Sequence, residues 1–486
     1  MSTTFLLSFV LGYFILLLFV AWYTSRNSNN DSFFIGNRNS NWMLVSFGMI
    51  GTSLSGVTFV SVPGTVGFSG FGYFQVVIGY FIGYFFVAFI LLPLYYRLQL
   101  TSIYDYLLRR FNNTAYKTGA FFFIISRVLG ATARLYLVIN VLQLFILDNM
   151  GIPFWATTFV ILLMILLYTF EGGVKTIVFT DTLQTSFMLL GLIVCTWYIM
   201  HTLDLSFSGT MQKLNAEGFT KMFDTNANSA GFFVKQIVGG MFITIGMTGL
   251  DQEMMQKNIS VKNLRDSQKN MITFSTIMVI VNFLFLLLGG LLYVYEHAYN
   301  INIKGDDLFP TVALNYMPTA ISAIFIIGLI SALFPSADGA LTALTSSFCI
   351  DILGIKRNES LDEKKRKRIR MTVHLCFAVI FFLCVMIFKW INDKSIIGVI
   401  LIIAGYTYGP LLALFAFGIF TNRKFIQGSS VLWVCLLAPV VSYVLSAEAP
   451  VWFNGYKIGI ELLLINAMIT FAGLWFISKP SVKHRL

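Results

Sequence analysis

Charge is what this chain has least of. Asp, Glu, Lys and Arg make up 11% of its 486 residues, where an ordinary soluble domain carries roughly 25%. So little charge cannot supply a solvated surface, so the outer face must meet lipid. Cysteine is scarce too. Cys195, Cys349, Cys376, Cys384 and Cys435 all fall in apolar runs with no CxxC and no paired spacing, which argues against a disulfide framework and a thiolate zinc site. His201, His297, His374 and His484 are scattered. Neither HExxH nor GxSxG occurs, so the patterns of a zinc protease and of a nucleophile elbow are missing. No nucleophile with a base, and no metal cluster, is visible for an intramembrane enzyme.

Apolar residues are abundant: 57% of the chain is hydrophobic, 49 residues are Phe, and the mean hydropathy is +0.78. The net charge of +11 sits in short segments between apolar runs. That is the pattern of cytoplasmic loops beside an anionic leaflet, not of a nucleic-acid-binding face. The first run, 5–23, is too long for a signal-peptide core of about 7–15 residues and has no positive stretch before it. It reads as a retained membrane helix.

A bilayer core takes about 20 apolar residues per helix. On that measure the sequence predicts an all-α polytopic protein of about 13 spans, at 5–23, 42–66, 71–97, 117–147, 152–170, 176–202, 233–255, 270–297, 319–352, 370–391, 395–420, 429–449 and 456–478. Barrel strands are shorter and alternate polar with apolar; these runs do not. Lys and Arg in short loops set orientation. With the N-terminus outside, the inner loops hold Arg26 and Arg38; Arg97, Arg109, Arg110 and Lys117; Lys175; Lys257, Lys262, Arg265 and Lys269; Lys356, Arg357 and the basic run Lys364 to Arg370; Arg423 and Lys424; and Lys479, Lys483 and Arg485. The outer loops hold only Lys213, Lys221, Lys304, Lys394 and Lys457. An odd number of spans then places the C-terminus in the cytoplasm. The longest outer loop, 203–232, is Ser/Asn/Thr-rich and carries no obvious chemistry, and no soluble domain is apparent.

A polar group in lipid must find a partner, so intramembrane polar residues are candidates for function. The second span carries Gly51, Thr52, Ser53, Leu54, Ser55, Gly56 and Thr58, then Ser61, Pro63 and Gly64. This composition suits a helix that unwinds to offer carbonyls to a hard cation, and equally suits close packing through small residues. The ninth span carries Ser331, Pro335, Ser336, Asp338 and Gly339, then Thr342, Thr345, Ser346 and Ser347. Pro335 has no amide hydrogen to donate and leaves the Ser331 carbonyl without its helical bond. Free carbonyl, hydroxyl and carboxylate together favour a cation site over a plain proline kink. In the fourth span Arg127 and Arg134 are seven apart and share a helix face. Arg cannot shed its charge and presents a fork of donors to a carboxylate. They serve either an anionic solute or structural pairs with acids such as Asp181 or Asp338, and Arg127 can also snorkel. The seventh span, with Gly239, Gly240, Thr244, Gly246, Thr248 and Gly249, matches the second in position and composition. Two inverted five-helix repeats would produce that match, with substrate and ions at broken helices in both halves.

Three stretches together resemble the solute:sodium symporter family of sodium/glucose, sodium/proline and sodium/sialic acid transporters. They are Glu171-Gly172-Gly173-Val174-Lys175 with Thr180, Asp181 and Gln184; Asp251 and Gln252 with Gln256 and the basic stretch to Lys269; and the Ser/Thr-rich ninth span ending at Asp351. The resemblance covers about residues 5–440. It implies the LeuT-type five-plus-five inverted repeat, with repeats at 42–202 and 233–420, an extra helix at 5–23 and extra helices at 429–478. It also implies a sodium site with Gly51, Leu54 and Ala332 as carbonyl ligands and Pro335 and Ser336 at the two hydroxyl positions. Pro335 departs from the pattern, and either its carbonyl or Asp338 fills the gap. For the solute the resemblance points to Ser53, Ser55 and Thr58, to Phe74 and Gln75, and to Arg127. The residues themselves add Arg134, Thr244 and Thr248, and Tyr406, Thr407 and Tyr408 are expected on the outer wall.

The expected function is sodium-driven import of a small organic solute by alternating access, with sodium co-transported and the lipid bilayer as surroundings. The buried arginines favour a carboxylate-bearing sugar such as sialic acid, or another organic acid. A neutral sugar or polyol, proton coupling through Asp338, and a membrane sensor or transceptor are the alternatives. No signalling module follows residue 478, which disfavours the last. The expected location is a bacterial inner membrane.

Overall fold

Backbone buried in lipid must satisfy its own hydrogen bonds, and a helix does so within one segment. The computed structural model describes residues 3–25, 40–355, 357–358, 360–391, 396–425 and 428–480, with the side chains of 3–7, 25 and 170–175 outside the description. The expectations placed on Arg26, Arg38, the side chains of Glu171 and Lys175, Lys356, Lys394, Lys483 and Arg485 lie outside the described residues.

The order is helical almost throughout. α1 (Thr3–Ser25) is followed by α2 (Trp42–Ser53), α3 (Gly56–Ser69), α4 (Tyr73–Phe86) and α5 (Leu92–Arg97). Next come α6 (Asp105–Arg110), α7 (Asn113–Leu142), α8 (Phe154–Thr202) and α9 (Phe207–Ala216). α10 (Phe233–Thr244), α11 (Gln252–Ile259), α12 (Leu264–Tyr299), α13 (Leu308–Asn315) and α14 (Thr319–Ser347) follow. α15 (Glu363–Ile391), α16 (Ile396–Phe420), α17 (Ser430–Trp452) and α18 (Leu462–Phe476) complete the helices. Two three-residue strands, β1 (Arg423–Phe425) and β2 (Ser478–Pro480), pair antiparallel with Lys424 opposite Lys479.

The expected thirteen spans are not all reproduced as separate long helices. Among the described residues, eight helices are long and apolar enough to cross a membrane, or nine if one bent pair counts as a single span. The difference has physical causes. The second apolar run is split at Leu54–Ser55 into α2 and α3. The fifth and sixth runs form one 49-residue helix, α8, because the stretch at 171–175 interrupts the hydropathy without ending the helix. Several remaining runs are shorter apolar helices, among them Ser8–Thr24 and Leu462–Phe476.

Small residues set the helix spacing. A Cβ on Gly240 would stand 2.5 Å from the Val76 carbonyl oxygen, and one on Gly239 would meet the Ile460 side chain. Gly48 and Gly51 bring α2 against Asp181 and Thr185 of α8 in the same way. Close packing through small residues is therefore real in both Gly-rich spans. Both helices are nevertheless broken as well. The last backbone bond of α2 runs from the Leu54 N–H to the Ile50 carbonyl at 2.7 Å, and the first of α3 from the Phe59 N–H to the Ser55 carbonyl at 3.1 Å. α10 passes through a π-turn, Ile245–Gly249, and bends by 65° into α11. Asp251 restarts the helix as its N-cap, accepting from the Glu253 and Met254 amides at 2.9 and 3.2 Å. An anionic cap also suits the positive end of the helix dipole.

Candidate functional site

The two breaks face one cavity of about 100 Å³ between α2, α3, α4, α7, α10, α12 and α16. Its polar lining comprises Thr52, Ser53, Ser55, Thr58, Tyr73, Tyr80, Tyr84, Arg127, Arg134, Thr244, Thr248 and Asn282. The structure thus brings together seven of the nine residues expected to meet the solute. Phe74 and Gln75 are elsewhere. Phe74 packs edge-on against Phe283 at 5.9 Å. Gln75 donates to the Gly72 carbonyl at 2.9 Å and lines a second, larger hollow.

That hollow, about 610 Å³, lies beside the 203–232 segment and is walled by residues 65–70, 72–73, 217–219 and 221–224, with Gln236. Tyr73, Ile397 and Leu401 line both spaces. They are the partition between vestibule and cavity. The outer-wall expectation for Tyr406, Thr407 and Tyr408 is corrected here. Tyr408 is buried with its hydroxyl donating to Asp251 Oδ2 at 3.2 Å, Thr407 donates to the Ile403 carbonyl, and Tyr406 packs near Tyr443. The α16 side chains at the cavity are Ile397, Ile400 and Leu401, about two turns earlier, because the Tyr408 hydroxyl bonds to Asp251 instead.

On the opposite side the cavity is closed by charge. Arg127 pairs with Glu253 and lies 3.6 Å from Asp251 Oδ2. Lys257 Nζ donates to Thr52 Oγ1 at 2.6 Å, Asp181 Oδ2 at 2.7 Å and Glu253 Oε1 at 3.3 Å. The Thr52 hydroxyl donates in turn to Asp181 Oδ2 at 3.1 Å. All are buried, and so is every residue of α11. A Cβ on Gly339 would overlap the Glu253 carboxylate, so α14 also abuts this cluster. Two expectations change as a result. Arg127 does make a structural pair, but with Asp251 and Glu253 rather than Asp181 or Asp338. Lys257, expected in an inner loop, is 2% exposed, because its ammonium has three oxygen partners inside.

Arg134 differs. It reaches the cavity beside Tyr73, Tyr80 and Tyr84, and among the described residues no carboxylate lies within ion-pair distance of it. Arg134 lines a chamber walled by apolar side chains as well as by hydroxyls.

A family model described as the sodium:solute symporter family matches residues 33–435. The chain belongs to that family. As a symporter it carries a small organic solute together with sodium, and it is not an enzyme. It is 23% identical over 92% of its length to the sodium/sialic acid symporter NanT of Aliivibrio fischeri, covering 88% of that protein. It is also 23% identical over 85% of its length to the sodium/sialic acid symporter SiaT of Proteus mirabilis, covering 84%. A solved structure of a Na+-coupled sialic acid symporter, substrate-bound and outward-open, superposes with a TM-score of 0.82 over 97% of both chains at 20% identity. The symporter therefore has that fold, all-α and multi-pass.

In this symporter the residues expected to hold sodium sit where α2 meets α14. Gly51 and Leu54 are at the break, and no backbone hydrogen bond among the described residues reaches their carbonyls. Ala332, Pro335, Ser336 and Asp338 are buried on α14. The Ser336 hydroxyl donates to the Leu333 carbonyl at 2.9 Å, which leaves its oxygen free to accept. Asp338 accepts from the Tyr168 hydroxyl at 2.7 Å and from the Gly339 amide, with no cation within ion-pair distance among the described residues. Thr342 Oγ1 and Ser346 Oγ, further along α14, are buried without a partner. Oxygen donors in excess of hydrogen-bond donors fit a hard cation.

The sequence reading missed the roles of Glu253 and Lys257. Their signal was present: opposite charges four apart on a short helix with an acidic cap. It was masked by hydropathy, which ended the seventh span at residue 255.

Proposed function

We propose that this symporter imports a carboxylate-bearing solute of the sialic acid class together with sodium. The observation that carries this reading is Arg134, a guanidinium without an ion-pair partner in a chamber lined by Ser53, Ser55, Thr58, Thr244 and Thr248. Its fork of donors suits a carboxylate, and the hydroxyls suit a polyhydroxylated body. The relatives named as sialic acid symporters support the same class.

Sodium binds between the α2–α3 break and α14, held by the Gly51, Leu54 and Ala332 carbonyls, Ser336, and either the Pro335 carbonyl or Asp338. In the cluster between the two broken helices, α8 and α14, the buried carboxylates Asp181, Asp251, Glu253 and Asp338 outnumber the buried cations Arg127 and Lys257, and that local imbalance favours a cation. Displacing Tyr73, Ile397 and Leu401 joins cavity and vestibule and gives the outward-open state. Parting the Arg127–Glu253–Lys257–Asp181 cluster opens the other side. Sodium couples the two because its ligands lie on two elements that separate, so its affinity differs between states. The membrane potential adds about 2.3 kcal/mol per charge per 100 mV.

The arrangement is read as five-plus-five inverted repeats at 42–202 and 233–420, with extra helices at 5–23 and 429–478. Packing supports the repeats: α3 lies on α12, and α10 lies on α4, so each broken helix packs on the helix that follows the other. The Lys/Arg distribution supports an outside N-terminus and cytoplasmic C-terminus, and the bacterial relatives support an inner membrane.

The test is uptake into proteoliposomes of labelled sialic acid, a short monocarboxylate, glucose and proline. An inward sodium gradient is compared with potassium substitution and with a proton gradient alone. Sodium-dependent accumulation of an anionic compound is expected. Accumulation of glucose or proline alone would overturn the carboxylate class. The unpaired state of Asp338 favours one second reading, proton coupling; uptake driven by protons alone and abolished in Asp338→Asn is its signature.

A further inference from the structure

A lysine ammonium has three donors and no acceptor. At Lys257 the three donors meet three oxygens, Thr52 Oγ1, Asp181 Oδ2 and Glu253 Oε1, at 2.6, 2.7 and 3.3 Å. These oxygens come from three elements, α2, α8 and α11, and all are buried. A buried carboxylate needs a cation nearby, and Asp181 has Lys257 as its one ion-pair partner among the described residues. Its other oxygen, Oδ1, is buried without a hydrogen bond. The arrangement is an all-oxygen cation pocket already filled, and filled by a covalently attached charge.

We propose that the Lys257 ammonium occupies the place of a sodium ion at Asp181, so that this position serves as a fixed counter-charge and transports nothing. The chain thus carries one cation fewer per cycle than its set of buried carboxylates would otherwise bind. The fixed charge also ties α2 to α8 and α11 whether or not sodium is present, so the closed side of the cavity does not depend on cargo for its stability. Removing the ammonium while keeping the carboxylate creates a sodium site that the native chain lacks. The inference rests on the sodium-coupled reading above.

The experiment is thermal unfolding of the purified full chain in detergent, titrated with sodium chloride against choline chloride at constant ionic strength, without solute. A ligand that binds the folded state raises the unfolding temperature in proportion to its occupancy. The variants are Lys257→Met and the double variant Lys257→Met with Asp181→Asn. The single variant is expected to gain a sodium-specific stabilisation beyond any the native chain shows, with a midpoint about tenfold or more below that of the native response, since a bare carboxylate attracts a cation strongly in a buried site. The double variant is expected to lose that gain. A single variant that is monodisperse only in sodium also supports the proposal. A Lys257→Met protein that titrates like the native chain, a gain that persists in the double variant, or a protein monodisperse in neither salt overturns it. If the native chain shows no sodium response while Lys257→Met gains an Asp181-dependent one, the inference stands and the native sodium site fails.

Discussion

Arg127 and Arg134 lie two turns apart on α7, and both reach the central cavity, yet among the described residues Arg127 is paired with two carboxylates and Arg134 with none. Spacing on a helix places the two side chains on one face, but it does not say which acids the fold will deliver to each. The α10–α11 break brings Asp251 and Glu253 to Arg127 and stops there. One arginine therefore closes the chamber, and on the proposed function the other meets the solute. The comparison is sharpest in Arg127→Met. It leaves Asp251 and Glu253 buried with one cation fewer, and breaking a buried pair costs about 3–5 kcal/mol. Unfolding of the solute-free protein should show that loss in any salt. Arg134→Gln, which breaks no ion pair, should unfold near the native temperature. Equal destabilisation by the two changes would erase the distinction and make Arg134 structural.

The next effect concerns binding. On the proposed function Arg134→Gln removes a charged donor pair that meets the solute, and hydrogen bonds to charged groups contribute about 1.5–3 kcal/mol each. Half-saturation of sodium-driven uptake should rise by roughly a hundredfold for an anionic solute, with the sodium midpoint little changed. Arg134→Lys should not restore it, because an ammonium lacks the planar fork. If a neutral solute proves to be the cargo and Arg134→Gln leaves its uptake intact, the unpaired guanidinium has another purpose.

These two arginines also mark how far the sequence could be read. The membrane class, the Gly-rich breaks and most cavity residues follow from hydropathy and from polar groups found in apolar runs. The family follows from short motifs. Hydropathy fails where helix and apolar run part company. α8 continues through 171–175 because intrahelical hydrogen bonds do not require apolar side chains, and α11 is buried although polar because its charges pair inside. Phe74 and Gln75 stand off the cavity for another reason. Tyr73, Tyr80 and Tyr84 put one face of α4 on the cavity, and Phe74 and Gln75 fall on other faces of the same helix, Phe74 against Phe283 and Gln75 at the larger hollow. Tertiary partners 150 residues away decide such points, and no local pattern carries them.

The smallest effect separates two placements of the sodium ion. Ser336 is the one hydroxyl left of an expected pair, since Pro335 has none to offer. Losing one neutral oxygen ligand costs about 0.5–1.5 kcal/mol, so Ser336→Ala should raise the sodium midpoint several-fold, read from thermal shift and from uptake alike. Thr342 lies one turn beyond Asp338, and its buried hydroxyl oxygen has no partner. Thr342→Val keeps its shape and removes that oxygen. If the ion sits between the α2 break and Ser336, Thr342→Val is silent and Ser336→Ala is not. The reverse result moves the ion along α14 to Asp338 and Thr342, away from the Gly51 and Leu54 carbonyls. The ion then no longer ties α14 to the broken helix, and the coupling has to be sought at Tyr168 on α8, which already holds Asp338.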